Sequence, residues 1–121
     1  MKIKNIVDAI QSLQKIASSD VSLQTLYSVN KLMKKVEEEI EFFEKERINI
    51  LEKYGKRIDN DKYKIEDNLK TEYEKAMTEL LNIEVKNNID EIILPMTENI
   101  QLSYNDLKAL NGFVKVEFED W

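Results

Sequence analysis

In the stretch LYSVNKLMKKVEEEIEFFEKERINILEKY, apolar side chains fall at Leu26, Val29, Met33, Val36, Ile40, Phe43, Ile50 and Tyr54. The intervals are three and four, and the one slot that breaks the series holds Arg47. Such spacing draws an apolar stripe down one side of a helix. Held over about four heptads, it marks the seam of a coiled coil or a helical hairpin. Leu32, Phe42, Ile48 and Leu51 lie beside the seam and widen it. The predicted helix, from about Ser22 to Tyr54, would be on the order of 45–50 Å long. That exceeds the roughly 28 Å diameter of a compact globule of this size.

The flanking segments predict shorter elements. Ile3, Ile6, Val7, Ile10, Leu13 and Ala17 recur at helical intervals, giving a helix from about Lys4 to Ala17. Ser19 or Asp20 is placed to cap the long helix, and Gly55 stands where its C-cap favours a positive backbone dihedral. The polar run KRIDNDKYKIED predicts a loop or tiny hairpin, after which Asp67 or Asn68 can cap a third helix over 67–83 with Leu69, Tyr73, Ala76, Leu80 and Ile83 in phase. A short connection makes that helix run antiparallel to the long one. Segments 84–86 and 92–94 look extended, and Pro95 ends the second. Ser103 and Asp106 form a capping-box pattern ahead of a short helix. Val114, Val116 and Phe118 alternate with charged residues, the pattern of a strand.

Composition narrows the class. The 121 residues suit one domain, divided into an N-terminal helix (1–18), a helical hairpin (22–83) and a cap (84–121). Two glycines and one proline exclude a loop-rich barrel or sandwich. The expected fold is mainly α: a long antiparallel helical hairpin with an N-terminal helix and a small C-terminal β or α/β cap. The net charge of −6 argues against direct nucleic-acid binding and against anionic membrane surfaces. Without Cys or His there is no disulfide, no Cys or His zinc site, no thiol nucleophile and no histidine base. MKIKNIVDAI lacks the form of a signal peptide, and no apolar run nears the ~20 residues of a membrane span. The expected compartment is the cytoplasm.

The segments EKERINILEKYG, YKI, ELLNIEV and LSYNDLKALNGFV, in that order, resemble small uncharacterised proteins of phages and prophages of Gram-positive bacteria. The resemblance implies an accessory role and brings no catalytic or binding residues with it. The order of long helix, tip and returning helix is similar to that of prefoldin subunits in architecture alone.

Candidate chemistry is sparse. Glu37, Glu41 and Glu44 share a helix face, yet a di-iron bundle would pair such residues with histidine. The loop DNDKYKIEDNLK opens like a calcium loop but has Lys64 and Lys70 where glycine and glutamate are required. No catalytic, metal or cofactor site is expected, and the protein is not expected to be an enzyme. Arg47 either covers apolar surface with its stem while its guanidinium reaches solvent or a neighbouring carboxylate, or pairs with a carboxylate of another helix to set register. Candidate contact residues are Phe42, Arg47 and Ile48 on the helix, and Phe118 and Trp121 in the acidic aromatic tail VEFEDW. The expected function is protein–protein contact with a partner or with itself, as a homodimer. The alternative is a host-directed anti-defence inhibitor or an acidic nucleic-acid mimic.

Overall fold

The computed structural model describes residues 1–95 and 99–117. Its elements follow in the order α1 (Ile3–Ala17), α2 (Leu23–Tyr54), β1 (Gly55–Asp59), β2 (Lys62–Ile65), a 3-10 turn (Asp67–Leu69), α3 (Lys70–Leu81), β3 (Ile92–Pro95), α4 (Tyr104–Ala109) and β4 (Val114–Glu117). The protein is mainly helical, dominated by a 32-residue α2 and carrying small strands towards its C-terminus.

The seam of α2 is turned inward along its whole length. Val29, Met33, Val36 and Phe43 are buried, and Leu26, Ile40, Ile50 and Tyr54 are half-buried. The first half of the seam packs into the larger core cluster. There it meets Ile6, Ala9, Leu13 and Ile16 of α1, Leu94 of β3, and Leu110, Phe113 and Val114 around the α4–β4 turn. A smaller cluster joins Phe43 and Ile50 of α2, Met77, Leu80 and Leu81 of α3, and Ile3 of α1. Helix α1 therefore contributes to both clusters and covers the part of α2 that α3 does not reach.

The chain is tied across its length at the start of α1. The Ile3 amide donates to the Ile83 carbonyl at 3.0 Å, and the Val85 amide donates to the Met1 carbonyl at 2.8 Å. The segment 84–86 expected as a strand forms only an isolated bridge, Lys2 with Glu84. The C-terminal strand does form, and β3 and β4 lie parallel in register from Ile92–Val114 to Pro95–Glu117. Parallel neighbours need a crossover, here the segment holding α4. Gly112 makes the final turn possible with φ +91, a conformation that L side chains rarely adopt.

Several terminus assignments differ from expectation for local reasons. Ser22, not Ser19 or Asp20, caps α2 by accepting from the Thr25 amide at 3.3 Å. Ser19 instead donates back to the Lys15 carbonyl at 2.6 Å. Gly55 has φ −116 and begins β1 rather than adopting a left-handed cap. It must be glycine because an added Cβ would meet the Leu51 carbonyl oxygen at 2.8 Å. Neither Asp67 nor Asn68 caps α3; a 3-10 turn precedes it, and the Asp67 carboxylate pairs with Lys70 at 3.0 Å. The third helix is thus 12 residues long, and Ile83 lies beyond its end at 41 % exposure.

Val36 is wholly enclosed within the larger cluster. Val36→Asp would place a carboxylate there without a partner, at a cost on the order of 3–5 kcal/mol. Urea unfolding followed by circular dichroism should show the midpoint fall sharply or the cooperative transition disappear.

Candidate contact surfaces

The side chains with the most distinctive chemistry hold the cap in place. Ser103 caps α4, accepting from the Asp106 amide at 3.1 Å, while the Asp106 carboxylate accepts from the Ser103 amide at 2.9 Å. This is the predicted capping box. The same carboxylate accepts from Ser12 Oγ at 2.7 Å and from Lys15 Nζ at 2.6 Å, both on α1. Asp106 is therefore buried yet fully satisfied, and it fastens α4 to α1. The Lys15 ammonium, then the Ser103 amide and the Ser12 hydroxyl, hold its carboxyl well below the usual aspartate range. Spacing along the chain gives no sign that Ser12 and Lys15 would meet a residue so far away.

Arg47 is half-buried, and its guanidinium grips Glu44 on its own helix, with Nη2 2.8 Å and Nε 3.3 Å from the carboxylate. Hydrogen bonding to Glu44 raises its pKa above the ordinary arginine value. The pairing with a carboxylate of another helix is not found; the i, i+3 neighbour is nearer and keeps the charge at the seam's edge. Phe42 and Ile48 do not widen the buried face, being 43 % and 41 % exposed. Six residues apart, they point about 120° from one another around the helix. The structure thus does not gather Phe42, Arg47 and Ile48 into one patch. Phe118 and Trp121 lie outside the described residues.

Apolar surface is concentrated elsewhere. Leu23 and Tyr27, one helical turn apart on α2, are 84 % and 63 % exposed, and Ile93 on β3 is 55 % exposed. Two adjoining clefts separate these elements. One of about 490 Å³ is lined by Ser22, Thr25, Glu91, Ile93 and Pro95. The other, of about 590 Å³, is lined by Tyr27, Lys31, Lys34, Lys35 and Ile92, with Glu38 and Asp90 at its margin. Lys31 sits 4.9 Å from the Tyr27 ring centre, a cation–π contact, and hydrogen bonding to Tyr27 raises its pKa. Lys35 donates to the Asn88 carbonyl at 2.8 Å, tying α2 to the segment before β3. Leu23 and Tyr27 are out of phase with the seam. That offset was the available sequence signal for this face, while Ile93 became part of it only through the fold. A third cleft, of about 470 Å³, lies between α4 and β4 beside Tyr104, Leu107, Lys108 and Val116.

Among the described residues, no group of three or more Asp or Glu side chains is placed to hold a metal ion. Nor is any of their helices long and apolar enough to cross a membrane. Searches against protein-family models, curated proteins and solved structures found no match to the chain.

An unfolded aspartate titrates near ~3.9. Since folded Asp106 stays ionised below that value, its pairing stabilises the fold at neutral pH, and the contribution is lost as pH falls through the lowered pKa. Asp106→Asn keeps the shape and removes the titration. The difference in unfolding free energy between wild type and variant should be level from about pH 7 to about pH 5 and shrink below about pH 4. Urea titrations across this range measure it.

Proposed function

We propose that this chain is a non-enzymatic accessory protein, of the kind that small phage and prophage proteins represent, and that it works by protein–protein contact, with itself or with a partner. The single observation that carries the contact reading is the Leu23–Tyr27–Ile93 surface. Tyr27 and Ile93 each line one of two adjoining clefts and Leu23 stands one turn from Tyr27, all more than half exposed, although the same chain buries its seam thoroughly. Large apolar side chains beside a cleft mark binding sites more often than scattered ones do. An aromatic anchor with a polar, solvent-accessible rim is typical of such surfaces. The resemblance of EKERINILEKYG and LSYNDLKALNGFV to phage-encoded proteins supports the accessory role.

The same proposal includes the arrangement of α2 and α3 as antiparallel rods. The antiparallel β1–β2 ladder reverses the chain between them, and Phe43 and Ile50 share a cluster with Met77 and Leu80. The rods then form a stiff support carrying a contact face at the α2 N-terminus.

A photo-reactive amino acid at position 23 should cross-link the chain to another polypeptide in producing cells. Tyr27→Ser should abolish this adduct while leaving unfolding free energy within about 0.5 kcal/mol, as expected for an exposed site. Equal cross-linking from position 23 and from a polar position such as Glu72 would overturn the contact reading.

A further inference from the structure

The β1–β2 hairpin presents a face that the fold itself does not need. Lys56 and Lys64 are direct partners in the ladder, as are Asp59 and Lys62. Directly paired residues share a face, and faces alternate along each strand. Lys56, Lys62 and Lys64 therefore stand together with the single carboxylate of Asp59, all exposed, while Tyr63 and Ile65 on the opposite face are half-buried. Ile58 falls at the irregularity between Arg57 and Asp59 and is 66 % exposed. Like charges directly opposite one another destabilise a ladder. Among the described residues, none of the ion pairs involves these three lysines.

Helix α2 carries the complementary surface. Glu37, Glu41, Glu44, Ile48 and Glu52 are all exposed, and their spacing confines them to an arc of about 80° around the helix. Glu44 and Glu52 flank Ile48 one turn to either side, Glu41 and Glu37 lie two and three turns before it, and Lys34 and Lys45 border the stripe. Glu44 is held by Arg47, and Glu52 accepts weakly from the Tyr63 hydroxyl at 3.4 Å. Glu37 and Glu41 have no such partner among the described residues.

We infer that the hairpin face of one copy carrying Lys56, Lys62 and Lys64 docks on the Glu37–Glu41 stripe of α2 in a second copy. This rests on the contact reading above and names the partner for self-association. The match is one of charge, since three exposed lysines on one hairpin face meet a stripe on which Glu37 and Glu41 are unpartnered among the described residues. A two-fold pairing uses each surface twice and closes on itself, giving a dimer rather than a filament. Exposed ion pairs are individually weak and screened by salt, so the dimer is salt-sensitive and depends on several pairs acting together.

Sedimentation of the whole chain tests the pairing. In about 0.05 M salt it should form a dimer, moving towards monomer in about 0.5 M. Lys64→Glu should weaken the dimer about tenfold, because each repulsion occurs twice. It also creates an opposite-charge pair with Lys56, so the melting temperature should hold or rise, which separates lost docking from lost folding. Glu41→Lys should weaken the dimer to a similar extent. An equimolar mixture of the two variants should recover the dimer, because each repulsive contact then becomes attractive. A wild-type chain that is monomeric throughout, or a dimer indifferent to both reversals, overturns the inference. Either result leaves the Leu23–Tyr27 face to be judged by its own cross-linking.

Discussion

A single apolar seam, Leu26 to Tyr54 on α2, has to be kept from water, and the rest of the architecture is arranged to do so. Each fully buried aliphatic or aromatic side chain contributes about 1.5–3 kcal/mol, and a single long helix cannot bury its own stripe. Helix α1 and the β3–α4–β4 cap cover the first half, α3 covers part of the second, and the β1–β2 hairpin packs near the end. Because α1 enters both clusters, it links two regions that would otherwise be joined mainly through α2. The Asp106 network then fixes where the cap sits on α1, replacing water around a carboxylate with three donors from α1 and the α4 cap.

This division of labour shapes the exterior. With the seam covered within the chain, self-association is no longer required to bury Val29 and Met33. Contact with any partner falls to surfaces that stay outside, and those surfaces differ in kind. The Leu23–Tyr27–Ile93 region is apolar with a lysine margin. The hairpin and the α2 stripe are strongly charged and of opposite sign. A net charge of −6 conceals this separation, since the acidic stripe and the basic hairpin partly cancel in the sum although they are apart in space.

Local features were readable in the chain because their physics is local. The helical periods of α1 and α2, the Ser103–Asp106 capping box and the Val114–Val116 alternation each depend on residues a few positions apart. The misread residues are those whose surroundings are supplied from a distance. Phe42 and Ile48 look like seam-wideners until the positions of α1 and α3 leave those flanks in water. Arg47 is not among them: half-buried and paired with Glu44 one turn away, it follows the local reading rather than the interhelical one. Gly55 looks like a left-handed cap, but the approach of its own α2 carbonyl and of Ile65 is what demands the missing side chain.

The amino-acid order by itself determined that this chain is mainly helical, that α2 is long, and which stripe of it avoids water, because periodicity and capping are encoded within one or two turns. Only the tertiary structure decided that α1 covers the first half of that stripe, that β3 and β4 run parallel, that Asp106 meets Ser12 and Lys15, and that Lys56 opposes Lys64. Those outcomes depend on strand register and on contacts between residues distant in the chain, where many pairings satisfy the same local pattern and only simultaneous packing of all elements selects one.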